Sequence, residues 1–122
     1  MTPAELREAA LQECGVLASG ESAEPADDQL VTQKYAALHD VLLAEGLVAW
    51  PVDGDLPDYA DNPLTMMLAA YIAPAFGVSG ERLASLRAGG AFGLPRPSIA
   101  ERMLRRQLAK NFISTPVKTD YF

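Results

Sequence analysis

Three observations predict an all-α fold for this 122-residue chain, a small helical bundle of four to five helices with an extended C-terminal tail. The first is the stretch Leu56–Gly77, which carries no charged side chain from Asn62 onward and repeats apolar residues at Leu64, Met67/Leu68, Tyr71/Ile72 and Ala75/Phe76. That spacing is helical, and because Met66, Ala69, Ala70 and Ala73 are also small or apolar, the helix must be covered around nearly its whole circumference. The second observation is a pair of capping boxes, Thr2-Pro3-Ala4-Glu5 and Ser98-Ile99-Ala100-Glu101, each of which announces a helix start. The third is a set of further helical stripes that need a common partner. One domain follows: residues 1–111 form the bundle and 112–122 the tail, since a chain of this length buries one core and not two.

The first helix opens at Pro3 behind Thr2, turns Leu6, Ala10 and Cys14 inward, and ends at Gly15. Cys14 therefore reads as a small core residue, with no basic neighbour to activate its thiol. Val16–Glu24 is loop. Pro25 opens the second helix, where Asp27 and Asp28 suit the positive end of the helix dipole. Val31, Tyr35, Leu38 and Leu42 form its inner stripe and Gly46 ends it. His39 lies off that stripe and reads as a surface or margin histidine. Leu47–Pro57 is a connection with a D-G turn signal, and Trp50 is expected to plug the corner between the second helix and the central one.

In the central helix, Pro63 falls in the first turn, where a missing N–H costs little, and Pro74 prepares the stop at Gly77. A short fourth helix begins at Ser79-Gly80, points Leu83 and Leu86 inward and closes at Gly89-Gly90. The following AGGAFGLPRP reads as a flexible link; its glycines make no phosphate loop, because neither a preceding apolar strand nor a following Lys-Ser/Thr accompanies them. The last helix puts Ile99, Ala100, Met103, Leu104 and Leu108 on one side and a basic stripe, Arg102, Arg105 and Arg106 with Lys110 at its margin, on the other. Such a stripe binds phosphate or a partner's carboxylates. The closing segment, Phe112–Phe122, has no helical stripe, and its aromatic pair Tyr121-Phe122 suggests docking on its own domain or in a groove of another subunit.

The net charge of −6 conceals a segregation. Residues 1–62 hold thirteen acids against Arg7 and Lys34, whereas residues 63–122 hold eight bases against Glu81, Glu101 and Asp120. Either opposite charges solvate one bundle, or copies pack head to tail, acidic face to basic face. No signal peptide or apolar span is apparent, so the chain reads as soluble and cytoplasmic in origin. The single cysteine excludes an intrachain disulfide, and one histidine without a metal-ligand cluster excludes a zinc site. No nucleophile, base and orienting acid recur at a catalytic spacing, which leaves a protein without enzymatic activity or cofactor.

Several pieces then coincide in order: LREAALQECGVLASGE near the start, Trp50-Pro51-Val52-Asp53 before Leu56-Pro57, Leu68-Ala69-Ala70 leading to Ile72-Ala73-Pro74-Ala75-Phe76-Gly77, and the closing Pro116-Val117-Lys118-Thr119-Asp120-Tyr121-Phe122. Together they resemble the head-to-tail adaptor, or head-completion, proteins of tailed bacteriophages and gene-transfer agents, the family that includes the packaged-DNA-stabilisation protein of short-tailed phages. The resemblance spans nearly the whole chain. It implies a virion protein, made in the host cytoplasm, that forms a homo-oligomeric ring of twelve beneath the portal protein. That ring lengthens the channel for packaged double-stranded DNA and receives a downstream stopper or tail protein, with no membrane involved. It also implies that the tail residues Ser114, Thr115, Pro116, Val117, Lys118, Thr119, Asp120, Tyr121 and Phe122 dock on the portal. The basic stripe would line the channel or a subunit interface. A cell-wall-cleaving activity proposed for some longer relatives is not carried over. The competing reading is an autonomous helical DNA-binding or regulatory domain whose reader is the Arg102–Lys110 helix, against which stand the acidic first half and a pI near 4.6.

Overall fold

Why the uncharged stretch sits at the centre is visible in the computed structural model, which describes residues 1–114. Five α-helices, α1 (Pro3–Glu13), α2 (Pro25–Ala44), α3 (Asp61–Ile72), α4 (Gly80–Gly90) and α5 (Ile99–Ser114), follow one another, and no strand occurs among the described residues. The all-α bundle is therefore as expected. α3 packs against each of the other four helices. Leu64, Met67, Leu68, Ala69 and Ile72 are all buried, so its apolar circumference is matched by neighbours on almost every side. The exception is Tyr71, which is 44% exposed and carries the Lys34 ammonium 5.4 Å from its ring centroid. Single 3-10 turns, Asp58–Ala60 and Ala73–Phe76, flank α3; Pro74 lies in the second, and Gly77 closes it with φ at +79°, a left-handed conformation that suits glycine.

The first capping box is complete. The Thr2 N–H donates to Glu5 Oε1 at 2.8 Å and the Glu5 N–H to Thr2 Oγ1 at 3.1 Å. Met1 is clasped to the start of α3: its amino group donates to Asp61 Oδ1 at 3.1 Å and to the Leu56 carbonyl at 3.2 Å, and the Leu56 N–H donates back to the Met1 carbonyl at 2.8 Å. At the other end of α1 the Arg82 guanidinium, from α4, donates to the Glu13 carbonyl at 3.0 Å, satisfying one of the acceptors that a helix C-terminus leaves open. Cys14 is buried as expected, with its thiol donating to the Ala69 carbonyl of α3 at 3.3 Å.

Around α2 the structure corrects one expectation. His39 is not at the surface: it is 4% exposed, and its Nε2 lies 2.7 Å from the Trp50 carbonyl oxygen. A carbonyl can only accept, so Nε2 carries the proton. Trp50 is the expected plug, buried, with its indole N–H donating to the Tyr35 hydroxyl at 3.2 Å, while the Tyr35 ring meets the His39 ring edge-on. These two bonds fasten the connection after α2 back onto α2.

The fourth and fifth helices bring further corrections. Gly90 ends α4 as expected, but it is buried with its α-carbon against the backbone of Met66 and Met67, and a side chain there would collide with the Met66 carbonyl. In α5, Ala100 and Leu104 are buried and Leu108 packs on the core, but Ile99 is 47% exposed and does not join that side. The second capping box has one arm: the Glu101 N–H donates to Ser98 Oγ at 3.3 Å, while the Glu101 carboxylate turns to Arg105. α5 spans Ile99–Ser114.

Candidate functional site

The basic stripe keeps its place but not its full charge. Arg102, Arg105, Arg106 and Lys110 are all exposed on α5, as the helical spacing requires. Arg105, however, donates from Nε to Glu101 Oε2 at 3.0 Å, and Glu101 is buried with its Oε1 left without a partner. Arg105 is thus committed to neutralising a carboxylate of its own helix. Arg102, Arg106 and Lys110 form no ion pair among the described residues, so the cationic surface offered to an outside anion is carried by these three. Exposed cations on one helix face can meet phosphate or carboxylate without sequence selectivity. Of the tail set, Ser114 ends α5, and Thr115, Pro116, Val117, Lys118, Thr119, Asp120, Tyr121 and Phe122 lie outside the described residues.

Nothing in the geometry turns His39 or Cys14 into catalytic groups. The His39 Nε2 proton is used by the Trp50 carbonyl. Burial pushes the Cys14 thiol up to about 11, with the nearby Arg82 opposing this only in part, so it stays protonated and a poor nucleophile at neutral pH. Among the described residues no three His, Cys, Asp or Glu side chains are placed to hold a metal ion.

A second surface feature escaped sequence reasoning. Leu38 and Val41 of α2, Met67, Ala70 and Tyr71 of α3, and Arg87, Ala91 and Phe92 at the end of α4 line an open groove of about 240 Å³. Its walls are apolar, yet Val41 is 47% exposed. Arg87 stands in the groove and Lys34 at its edge over Tyr71, and neither has an ion-pair partner among the described residues. The available signal was Val41, an apolar residue outside the inner stripe of α2. Its partners come from two other helices, and a single-helix pattern does not reveal them.

The connection after α2 makes a tight turn in which the Gly54 N–H donates to the Pro51 carbonyl at 2.9 Å. Val52 and Asp53 occupy its tip, both exposed, and exposed Asp55 and Asp58 follow. No helix among the described residues is long and apolar enough to cross a membrane. In comparisons with known proteins, no family model, no curated protein and no solved structure matches this chain.

Proposed function

We propose that this chain is a structural head-to-tail adaptor of a tailed phage, assembling as a ring beneath the portal, extending the DNA channel, helping to retain the packaged genome and receiving tail components. The observation that carries the reading is the ordered set of sequence resemblances, from LREAALQECGVLASGE through IAPAFG to PVKTDYF, set on a five-helix bundle of the kind that resemblance implies. Charge and groove support it. A ring of identical subunits needs two different, complementary faces on each copy, and this chain segregates acidic from basic residues along its sequence while leaving an apolar groove exposed. A DNA conduit needs cations without a tight grip, and three cations on one helix with no ion-pair partner among the described residues meet that need.

The competing DNA-reader role for α5 is weakened because Arg105 is held by Glu101 and the rest of the molecule is acidic. Electron microscopy of the purified protein, alone and mixed with a phage portal protein, tests the proposal. Rings or added density on the portal are expected. A monomer that ignores the portal and binds one DNA sequence tightly would replace the adaptor by the reader.

A further inference from the structure

The groove between α2, α3 and the end of α4 and the Pro51–Gly54 turn have the complementary properties of a socket and its plug. The socket is apolar, has room for a side chain well beyond the roughly 150 Å³ that accommodates a benzene ring, and is bordered by two cations without an ion-pair partner among the described residues, Arg87 and Lys34. The turn presents an exposed aliphatic side chain, Val52, beside Asp53, with Asp55 two residues on. From this we infer that the Pro51–Asp55 turn of one copy docks in the groove of a second copy, Val52 against Val41 and Tyr71, with Asp53 and Asp55 facing Arg87 and Lys34. This rests on the ring reading and names its seam.

One copy cannot close the contact on itself. Tyr35 and His39 hold the stem of the turn through Trp50, whereas Lys34, Leu38 and Val41 face the groove. At 3.6 residues per turn those two stripes point about 110° apart around α2. The turn is pinned on both sides, by buried Trp50 and by buried Leu56, so it cannot swing to the other flank. A plug and a socket on different flanks of one subunit make a heterologous contact, which propagates from copy to copy and closes as a ring when the rotation allows. The braced stem also means that the turn is already shaped before it binds, which lowers the entropy lost on docking.

The test uses Val41→Cys and Val52→Cys chains, both at exposed positions, with a short bis-maleimide; native Cys14 is buried and serves as the silent background. Mixing the two chains should give a covalent dimer that neither gives alone, and a chain carrying both substitutions should give a ladder of multimers. Arg87→Asp should abolish the dimer, and adding Asp53→Arg on the Val52→Cys chain should restore it. Dimers of equal yield from Val41→Cys alone would mean a groove-to-groove contact and overturn the seam. So would the absence of any mixed dimer at millimolar protein. The two readings fail separately: rings on a portal that Val41→Asp does not disturb would sink the seam and leave the adaptor, and a ladder from a protein that never binds portal would sink the adaptor and leave the seam.

Discussion

At the residue scale, the strongest constraint is steric. Gly90 brings α4 against the backbone of α3 at Met66, where a methyl group would meet a carbonyl oxygen that no rotamer change can move. Gly90→Ala should therefore destabilise by about 1–3 kcal/mol, the usual range for overpacking, and lower the melting temperature, although alanine is otherwise the better helix residue. An unchanged or higher melting temperature would mean that α4 is free to move off α3. His39→Phe keeps a ring in place but leaves the Trp50 carbonyl without its donor, at a cost of about 1–3 kcal/mol. These two residues were illegible in the sequence for the same reason. A glycine pair looks like a stop and a histidine off the apolar stripe looks like surface, because the partners that bury them, Met66 and Trp50, come from other elements. Trp50 itself was legible, since a large ring beside proline at a helix corner has few places to go other than the core. Stability also has an alkaline limb set by single residues. Burial raises the Cys14 thiol from 9.0 to about 11 and raises the Tyr35 hydroxyl, while the Met1 amino group is raised chiefly by its hydrogen bond to Asp61. Each folded-state value lies above the unfolded one, so each contribution is complete below the unfolded value and fades as pH rises through the folded one. Stability measured by urea titration should hold at neutral pH and fall from about pH 8 upward, and Cys14→Ala should flatten the part of the fall between pH 9 and 11.

At the element scale, α3 and α5 make opposite demands on substitution. α3 is enclosed by four helices, and Leu68→Asp or Ile72→Asp would put an unpaired carboxylate where no water reaches. That penalty, several kcal/mol against a total stability of about 5–15, should abolish the cooperative thermal transition. A transition near that of the wild type would show that α3 is not the core. The centrality of α3 was legible because a helix without charge beyond its first residue, Asp61, has to be enclosed whatever surrounds it. The internal division of α5 was not. Helical spacing placed three arginines on one face, but only the carboxylate of Glu101, buried beside them, separates Arg105 from the others. Arg102→Gln with Arg106→Gln should leave the melting temperature within a degree or two, since exposed charges contribute little to stability. Arg105→Gln strands Glu101 and should cost about 1–2 kcal/mol. If all three behave alike, the Glu101 contact does not matter to the fold. The groove was illegible at this scale altogether, because it belongs to no single helix.

At the scale of the whole molecule, the proposal requires that the bundle hold itself together and that the segment beyond α5 serve a partner. Ala100, Leu104 and Leu108 tie α5 to the core, all upstream of Thr115. The eight residues from Thr115 to Phe122 could span about 26–29 Å if extended, at 3.3–3.6 Å per residue, a length on the order of a small domain's diameter. Their chemistry suits a docked strand: Pro116 favours extended backbone, Val117 packs along an edge, Lys118 and Asp120 set register, and Tyr121 with Phe122 supply the kind of aromatic anchor that often dominates interface energy. Fixing such a segment costs roughly 1–2 kcal/mol per residue in backbone entropy, which a portal groove has to offset. Deleting Thr115–Phe122 should therefore leave the thermal midpoint of the bundle almost unchanged while sharply weakening portal binding, so that heads fill but neither retain DNA nor acquire tails. Calorimetry of the truncated protein beside a portal pull-down reads both arms. Loss of the folded bundle on truncation would make the segment a strap on its own domain, and unchanged portal binding would move the docking surface elsewhere on the molecule.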